Sequence, residues 1–337
     1  MRKLIASIFA SLDGVKRAQG GPERDPTENF TPGARLAALS AGLVLLTSIA
    51  AGTGLAREQT ERSAIRETSS SQTGHYASVN GLKIYYEVHG SGRPLLLLHG
   101  AFMTIEGFGP LLPALAASHQ VIAVELEGHG RTADLDRPLT MAQMAEDVAS
   151  LLDQLKIKEA DVMGYSMGGI VAIRLAIRRP DLVRKLLIIS SANSLDGLYP
   201  VLVESIRGMT PTGSPAEKAY AQIAPDKAHW PVFFEKMKRC MTEFKGWPDS
   251  DLQSIKAPVL LVLGDTDMIR PEYAVNMFRL LGGCKSDGGV GGLPKSRLAI
   301  LPGTTHFTIL YNLDLLLPVV SPFLDSPAPE TVKEART

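Results

Sequence analysis

From residue 82 onward, short apolar runs alternate with amphipathic stretches. Residues 82–88, LKIYYEV, read as a strand, and Gly90-Ser91-Gly92 as the turn that ends it. Pro94 then introduces residues 95–98, four consecutive leucines. A continuous apolar run of that length fits a strand buried on both faces of a parallel sheet. The pattern returns at 121–124, 160–163, 186–189, 259–263 and 298–301. Between these runs, residues 140–155 place apolar side chains at Met141, Met144, Ala145, Val148, Leu151, Leu152 and Leu155. That spacing predicts a helix with Thr140 as its N-cap. Residues 167–178 predict a second helix, closed by Pro180. Strands alternating with helices predict an α/β fold: a doubly wound, mostly parallel sheet.

Residues 193–250 break the rhythm. They are helix-like and carry Tyr199, Tyr220, Trp230, Phe233, Phe234, Phe244 and Trp247. An insertion of this kind between two core strands reads as a helical cap, or as added core helices. The glycine-rich stretch 282–292 reads as a surface loop. The ordered domain is expected over residues 76–326, with a flexible tail at 327–337. Residues 57–75 are polar and aperiodic and read as a linker.

The amino-terminal end changes this picture. Residues 36–56 carry no charge and are flanked by Arg35 and Arg57. Their length suits a bilayer span, and the end at Gly54-Leu55-Ala56 suits signal cleavage. Three readings of 1–56 follow: a cleaved export signal (periplasmic or secreted protein), a retained anchor with membrane association through 36–56, or a start codon set too far upstream in a cytoplasmic protein. Composition is that of a globular chain, 45% hydrophobic and 21% charged. Lys and Arg total 35 and so do Asp and Glu, so no basic excess points to nucleic acid. Cys240 and Cys284 are too few for a disulfide framework or a zinc site; two unpaired thiols or a single bridge remain open. No metal-ligand cluster and no phosphate-binding loop stands out, so no metal and no cofactor are expected.

The chemistry sits in Gly164-Tyr165-Ser166-Met167-Gly168, a G-x-S-x-G pattern between a predicted strand and a predicted helix. A nucleophilic serine needs the sharp turn that this context supplies, with small residues two positions to either side. It also needs a base. His306, in the loop after the last strand, is the best placed; His99 and His129 are alternatives in glycine-flanked turns. Asp267 is expected to orient the histidine, with Asp265 as runner-up. The backbone amides of Met167 and Ala101 are the expected oxyanion donors. Phe102, Met103, Tyr165, Trp230 and Phe233 are candidate pocket walls.

His99-Gly100, Gly128-His129-Gly130-Arg131, Gly164-Tyr165-Ser166-Met167-Gly168-Gly169, Gly264-Asp265-Thr266-Asp267 with Pro271 following, and Pro302-Gly303-Thr304-Thr305-His306-Phe307 occur in that order. Together they resemble the α/β-hydrolase superfamily in its serine-nucleophile, esterase-like branch, over about residues 76–326. The resemblance implies an eight-stranded sheet, a helical cap between the sixth and seventh strands, and acyl-enzyme hydrolysis of a small-molecule ester without a cofactor. One departure is Glu125, followed by Leu126 and Glu127, where such proteins usually end the fourth strand with aspartate. The same triad would serve a lactonase, an amidase, a carbon–carbon bond hydrolase or a cofactor-free haloperoxidase-like enzyme. A ligand-binding module on the same scaffold is a rival of another class.

Overall fold

The computed structural model describes residues 74–284 and 294–327. The expected signal or anchor at 1–56, residues 57–73 of the linker, most of the 282–292 loop and the tail beyond 327 lie outside them. Among the described residues no helix is long and apolar enough to cross a membrane.

The described strands form one eight-stranded sheet: β1 (Gly74–Val79), β2 (Leu82–His89), β3 (Arg93–Leu98), β4 (His119–Glu125), β5 (Ala160–Tyr165), β6 (Val183–Ile189), β7 (Val259–Thr266) and β8 (Arg297–Thr305). Their spatial order is β1-β2-β4-β3-β5-β6-β7-β8. β1 and β2 are antiparallel to their neighbours, and the rest run parallel. The first strand starts at Gly74, inside the stretch read as linker. Antiparallel pairing of Gly74 with Glu87 and His75 with Tyr86 recruits those polar residues into the sheet.

The four-leucine run explains itself in the sheet. Leu95 and Leu97 face one side, Leu96 and Leu98 the other, and none is exposed. Each buried leucine stabilises the fold by about 1.5–3 kcal/mol. One face is covered by α2 (Met141–Gln154) and α3 (Met167–Arg178), which bury Met144, Val148, Val171 and Leu175. Thr140 caps α2 as expected, its hydroxyl accepting from the Gln143 amide at 3.1 Å. The opposite face is covered by α1 (Leu111–Ala116) and α9 (Leu313–Asp325), through Leu111, Leu115, Leu316 and Phe323. Lys185 runs along that face to the carboxyl end of α9 and donates to the Leu324 carbonyl at 3.0 Å. Burial pushes its amine down to about 8.

Between β6 and β7 the chain inserts α4 (Pro200–Arg207), α5 (Pro215–Ile223), α6 (Trp230–Glu243) and α7 (Asp249–Gln253). Pro200 and Pro215 open α4 and α5 at their first turns, where the missing N–H has no intrahelical partner to lose. Ser214 caps α5 by accepting from the Glu217 amide at 3.1 Å. α8 (Pro271–Leu280) follows β7. Neither cysteine is bonded: Cys240 is half-buried and Cys284 exposed.

Candidate active site

β5, β6, β7 and β8 are consecutive and parallel, so their carboxyl ends share one edge of the sheet. Ser166 follows β5, Asp267 follows β7, and His306 follows β8. Ser166 has φ 52° and ψ −120°, a left-handed conformation that costs a non-glycine residue about 1–3 kcal/mol. Its amide donates to the Ile189 carbonyl at 2.9 Å, which ties the bend to β6. The flanking glycines are there for space: a Cβ on Gly164 would strike the Gly168 carbonyl, and one on Gly168 would strike the Leu98 carbonyl.

The three expected residues meet. His306 Nε2 lies 3.0 Å from Ser166 Oγ, and His306 Nδ1 lies 2.8 Å from Asp267 Oδ1. Asp267 and His306 are both buried. Burial alone would raise the Asp267 carboxyl. The His306 charge and hydrogen bond, the Ser190 hydroxyl and the Gly264 amide outweigh it and hold the group below the ordinary aspartate value. Asp265 is exposed and accepts from the Gly303 amide at 3.0 Å, so it pins the turn before His306 and does not touch the ring. Tyr165 steadies the same loop by donating its hydroxyl to the His306 carbonyl at 2.7 Å.

Ala101 and Met167 flank Ser166 at the cavity wall. Met167 is the first residue of α3, so its N–H has no intrahelical acceptor. Among the described residues no backbone carbonyl accepts from the Ala101 or Met167 amide. Both amides are thus without a backbone acceptor beside Ser166.

The loop that carries Ala101 is fastened by a buried histidine. His99 Nε2 accepts from the Leu126 amide at 3.1 Å, so Nδ1 carries the proton and donates to the Gly100 carbonyl at 2.8 Å. Burial pushes His99 down to about 4. His129 packs against it with ring centroids 4.8 Å apart, and burial pushes it well below the usual histidine value. Neither ring reaches Ser166; they are structural. A histidine that is neutral when folded and ordinary when unfolded takes up its proton on unfolding between about pH 6.5 and 4. Stability is therefore unaffected by His99 above about 6.5 and falls as pH drops through that window. Urea unfolding is expected to show a loss of roughly 2 kcal/mol from His99 between pH 7.5 and 5, with His129 adding to it. Equal stability at the two pH values would overturn this account.

A cavity of about 320 Å³ opens above Ser166. Phe102, Met103, Tyr165 and Met167 line it, as expected from sequence. Trp230 and Phe233 do not line it. They are buried behind Phe102 in an aromatic cluster, with Phe102–Phe233 centroids 5.9 Å apart, because α6 turns its aromatic face toward the body of the protein. The wall supplied by the insertion comes instead from residues such as Leu202, Ile206, Met209, Met241 and Phe244. The spacing of 202, 206 and 209 is helical and could have revealed that apolar face. Among the described residues His306 and Glu106 are the titratable groups on the wall other than tyrosine. Glu106 is held by Arg131 Nη2 at 2.5 Å and by the Thr104 hydroxyl at 2.6 Å.

Glu125, the departure noted above, is fully buried and away from Ser166. It accepts from the Arg131 amide at 2.5 Å and from Arg131 Nη1 at 2.8 Å, which folds the 126–132 turn around it. Among the described residues no group of three or more His, Cys, Asp or Glu side chains is placed to hold a metal ion.

A family model of the alpha/beta hydrolase family matches residues 95–317, and the chain belongs to that family. It is 28% identical over 251 residues to a putative carbamate hydrolase, RutD, of Azorhizobium caulinodans, covering 68% of this chain and 91% of the relative. It is 32% identical over 202 residues to the dihydrolipoyllysine-residue acetyltransferase component of the acetoin cleaving system of Pseudomonas putida, covering 58% of this chain and 54% of that protein. The crystal structure of the enol-lactonase from Burkholderia xenovorans superposes with a TM-score of 0.57 at 20% identity, covering 75% of this chain and all of the other. The chain is thus a hydrolase of the alpha/beta family, similar to proteins that differ in the reactions their names describe.

Proposed function

We propose that this hydrolase cleaves carboxylic esters through an acyl-enzyme formed on Ser166. Ser166 Oγ attacks the ester carbonyl while His306 Nε2 takes its proton. Asp267 keeps the imidazole in the correct tautomer and stabilises the imidazolium. The Ala101 and Met167 amides hold the tetrahedral oxyanion. His306 then protonates the leaving alkoxide, and a water activated by the same histidine releases the acid. The observation that carries this reading is the unbroken chain Ser166–His306–Asp267, with spacings of 3.0 and 2.8 Å, on the floor of an apolar cavity.

The wall also bears on the substrate. Among the described residues it carries no lysine or arginine. Among the described residues a substrate carboxylate buried there would find no cationic clamp and would meet Glu106 as the only carboxylate on the wall. The reading is therefore a neutral ester with an apolar acyl or alcohol group.

The test is a series of p-nitrophenyl esters of increasing acyl length, alongside the matching esters that end in a carboxylate. For the neutral series kcat/KM is expected to rise with length and then fall once the chain outgrows the cavity. The carboxylate-tipped esters are expected to lose roughly 100-fold. Equal rates for the two series would refute the neutral-substrate reading. No turnover of any ester by folded protein would refute the esterase reading and favour a ligand-binding role.

A further inference from the structure

Four adjacent strands deliver polar side chains to the catalytic edge, and the proton chain uses three of them. The fourth is Ser190, directly after β6 and between the strands that carry Ser166 and Asp267. It has no exposed surface, and its hydroxyl donates to Asp267 Oδ2 at 2.5 Å. Its backbone has φ 49°, which a residue with a Cβ adopts only when its surroundings impose it. The Ser190 amide donates to the Val262 carbonyl at 2.8 Å, and the residue before it accepts from Ser166. The bend at Ser190 is thus clamped between the strand of the nucleophile and the strand of the acid.

Resting on the serine-hydrolase reading above, we propose that Ser190 is a positioning residue for Asp267. A carboxyl group rotates in a broad well about its last torsion. Oδ1 must stay on His306 Nδ1, where the Ile269 amide also donates to it at 3.3 Å, and rotation is further opposed by the donors on Oδ2. Those are the Ser190 hydroxyl and the Gly264 amide, the latter at 3.1 Å. Ser190 supplies the shorter of the two and the one that belongs to a different strand. With its proton given to Asp267, its hydroxyl orients the acid and has no donor left for substrate.

Ser190→Ala removes the hydroxyl and keeps the strained bend. Ser190→Gly removes it and relieves the bend, since glycine accepts positive φ. Loss of turnover in the glycine variant therefore follows the hydroxyl and not the fold. Two readouts are needed: kcat and KM on a neutral p-nitrophenyl ester, and the far-downfield proton resonance of His306 Nδ1–H. Both variants are expected to lose roughly 10- to 100-fold in kcat with KM little changed. The downfield resonance should broaden or vanish in both. Full kcat and an intact resonance in the glycine variant would overturn the proposal. A raised KM with unchanged kcat would also overturn it, by assigning Ser190 to substrate binding. If the wild type cleaves no ester, the esterase reading fails, yet the resonance still decides Ser190: loss in both variants supports the proposal and persistence overturns it.

Discussion

Replacing Ser166 with alanine is expected to lower ester turnover by roughly 10⁴- to 10⁶-fold without unfolding the protein. The size follows from what is removed. In the proposed mechanism Ser166 Oγ is the atom that bonds to substrate, and no other hydroxyl lies within hydrogen-bonding reach of His306 Nε2 among the described residues. The Ala101 and Met167 amides, proposed to hold the oxyanion, and the cavity remain, so a small residual rate above background should survive. The melting temperature should barely move. Alanine has the same Cβ and so inherits the left-handed backbone at φ 52°. The change deletes one part-buried hydrogen bond, worth about 1 kcal/mol. Steady-state assays beside circular-dichroism melting separate these effects. Near-normal turnover in a folded Ser166→Ala protein would remove the serine from the chemistry and, with it, the acyl-enzyme.

Much of this arrangement is legible in the sequence. The parallel strands announce themselves as short runs such as 95–98, because burial on both faces removes the polar alternation that other strands show. Ser166 and His306 were legible because a strained strand-to-helix turn and the loop after the last strand leave local marks: glycines at 164 and 168, and Pro302-Gly303 before the histidine. Features built by distant contacts were not legible. The start of β1 at Gly74 and His75 passes for linker until its ladder with β2 is seen. α9 carries Pro318 and Pro322 inside the helix, which hides it from any propensity argument. Ser190 has no motif at all; its role exists only because β6 lies between β5 and β7. The pocket assignment failed at Trp230 and Phe233 for a related reason. Large aromatics on an inserted helix serve its packing as readily as a ligand, and here the flexible residues Met209 and Met241 meet the cavity instead.

Asp267→Asn is expected to lower kcat by roughly 10³- to 10⁴-fold, whereas Asp265→Asn should stay within about threefold of wild type. The two aspartates lie two residues apart and differ in what they touch. Asp267 is surrounded by donors: His306 Nδ1 and the Ile269 amide on Oδ1, and Ser190 Oγ and the Gly264 amide on Oδ2. An asparagine must turn an NH₂ group toward one of those pairs. Facing His306, it forces the proton from Nδ1 to Nε2 and removes the base. Facing Gly264, it sets donor against donor and pushes the side chain out of register. In either orientation the negative charge that stabilises the imidazolium is gone. Asp265 makes none of these contacts. Its carboxylate is exposed and accepts from the Gly303 amide, a bond that an asparagine oxygen can replace. Parallel steady-state kinetics of the two variants decide the matter, and a larger loss in Asp265→Asn than in Asp267→Asn would place the acid on the wrong residue.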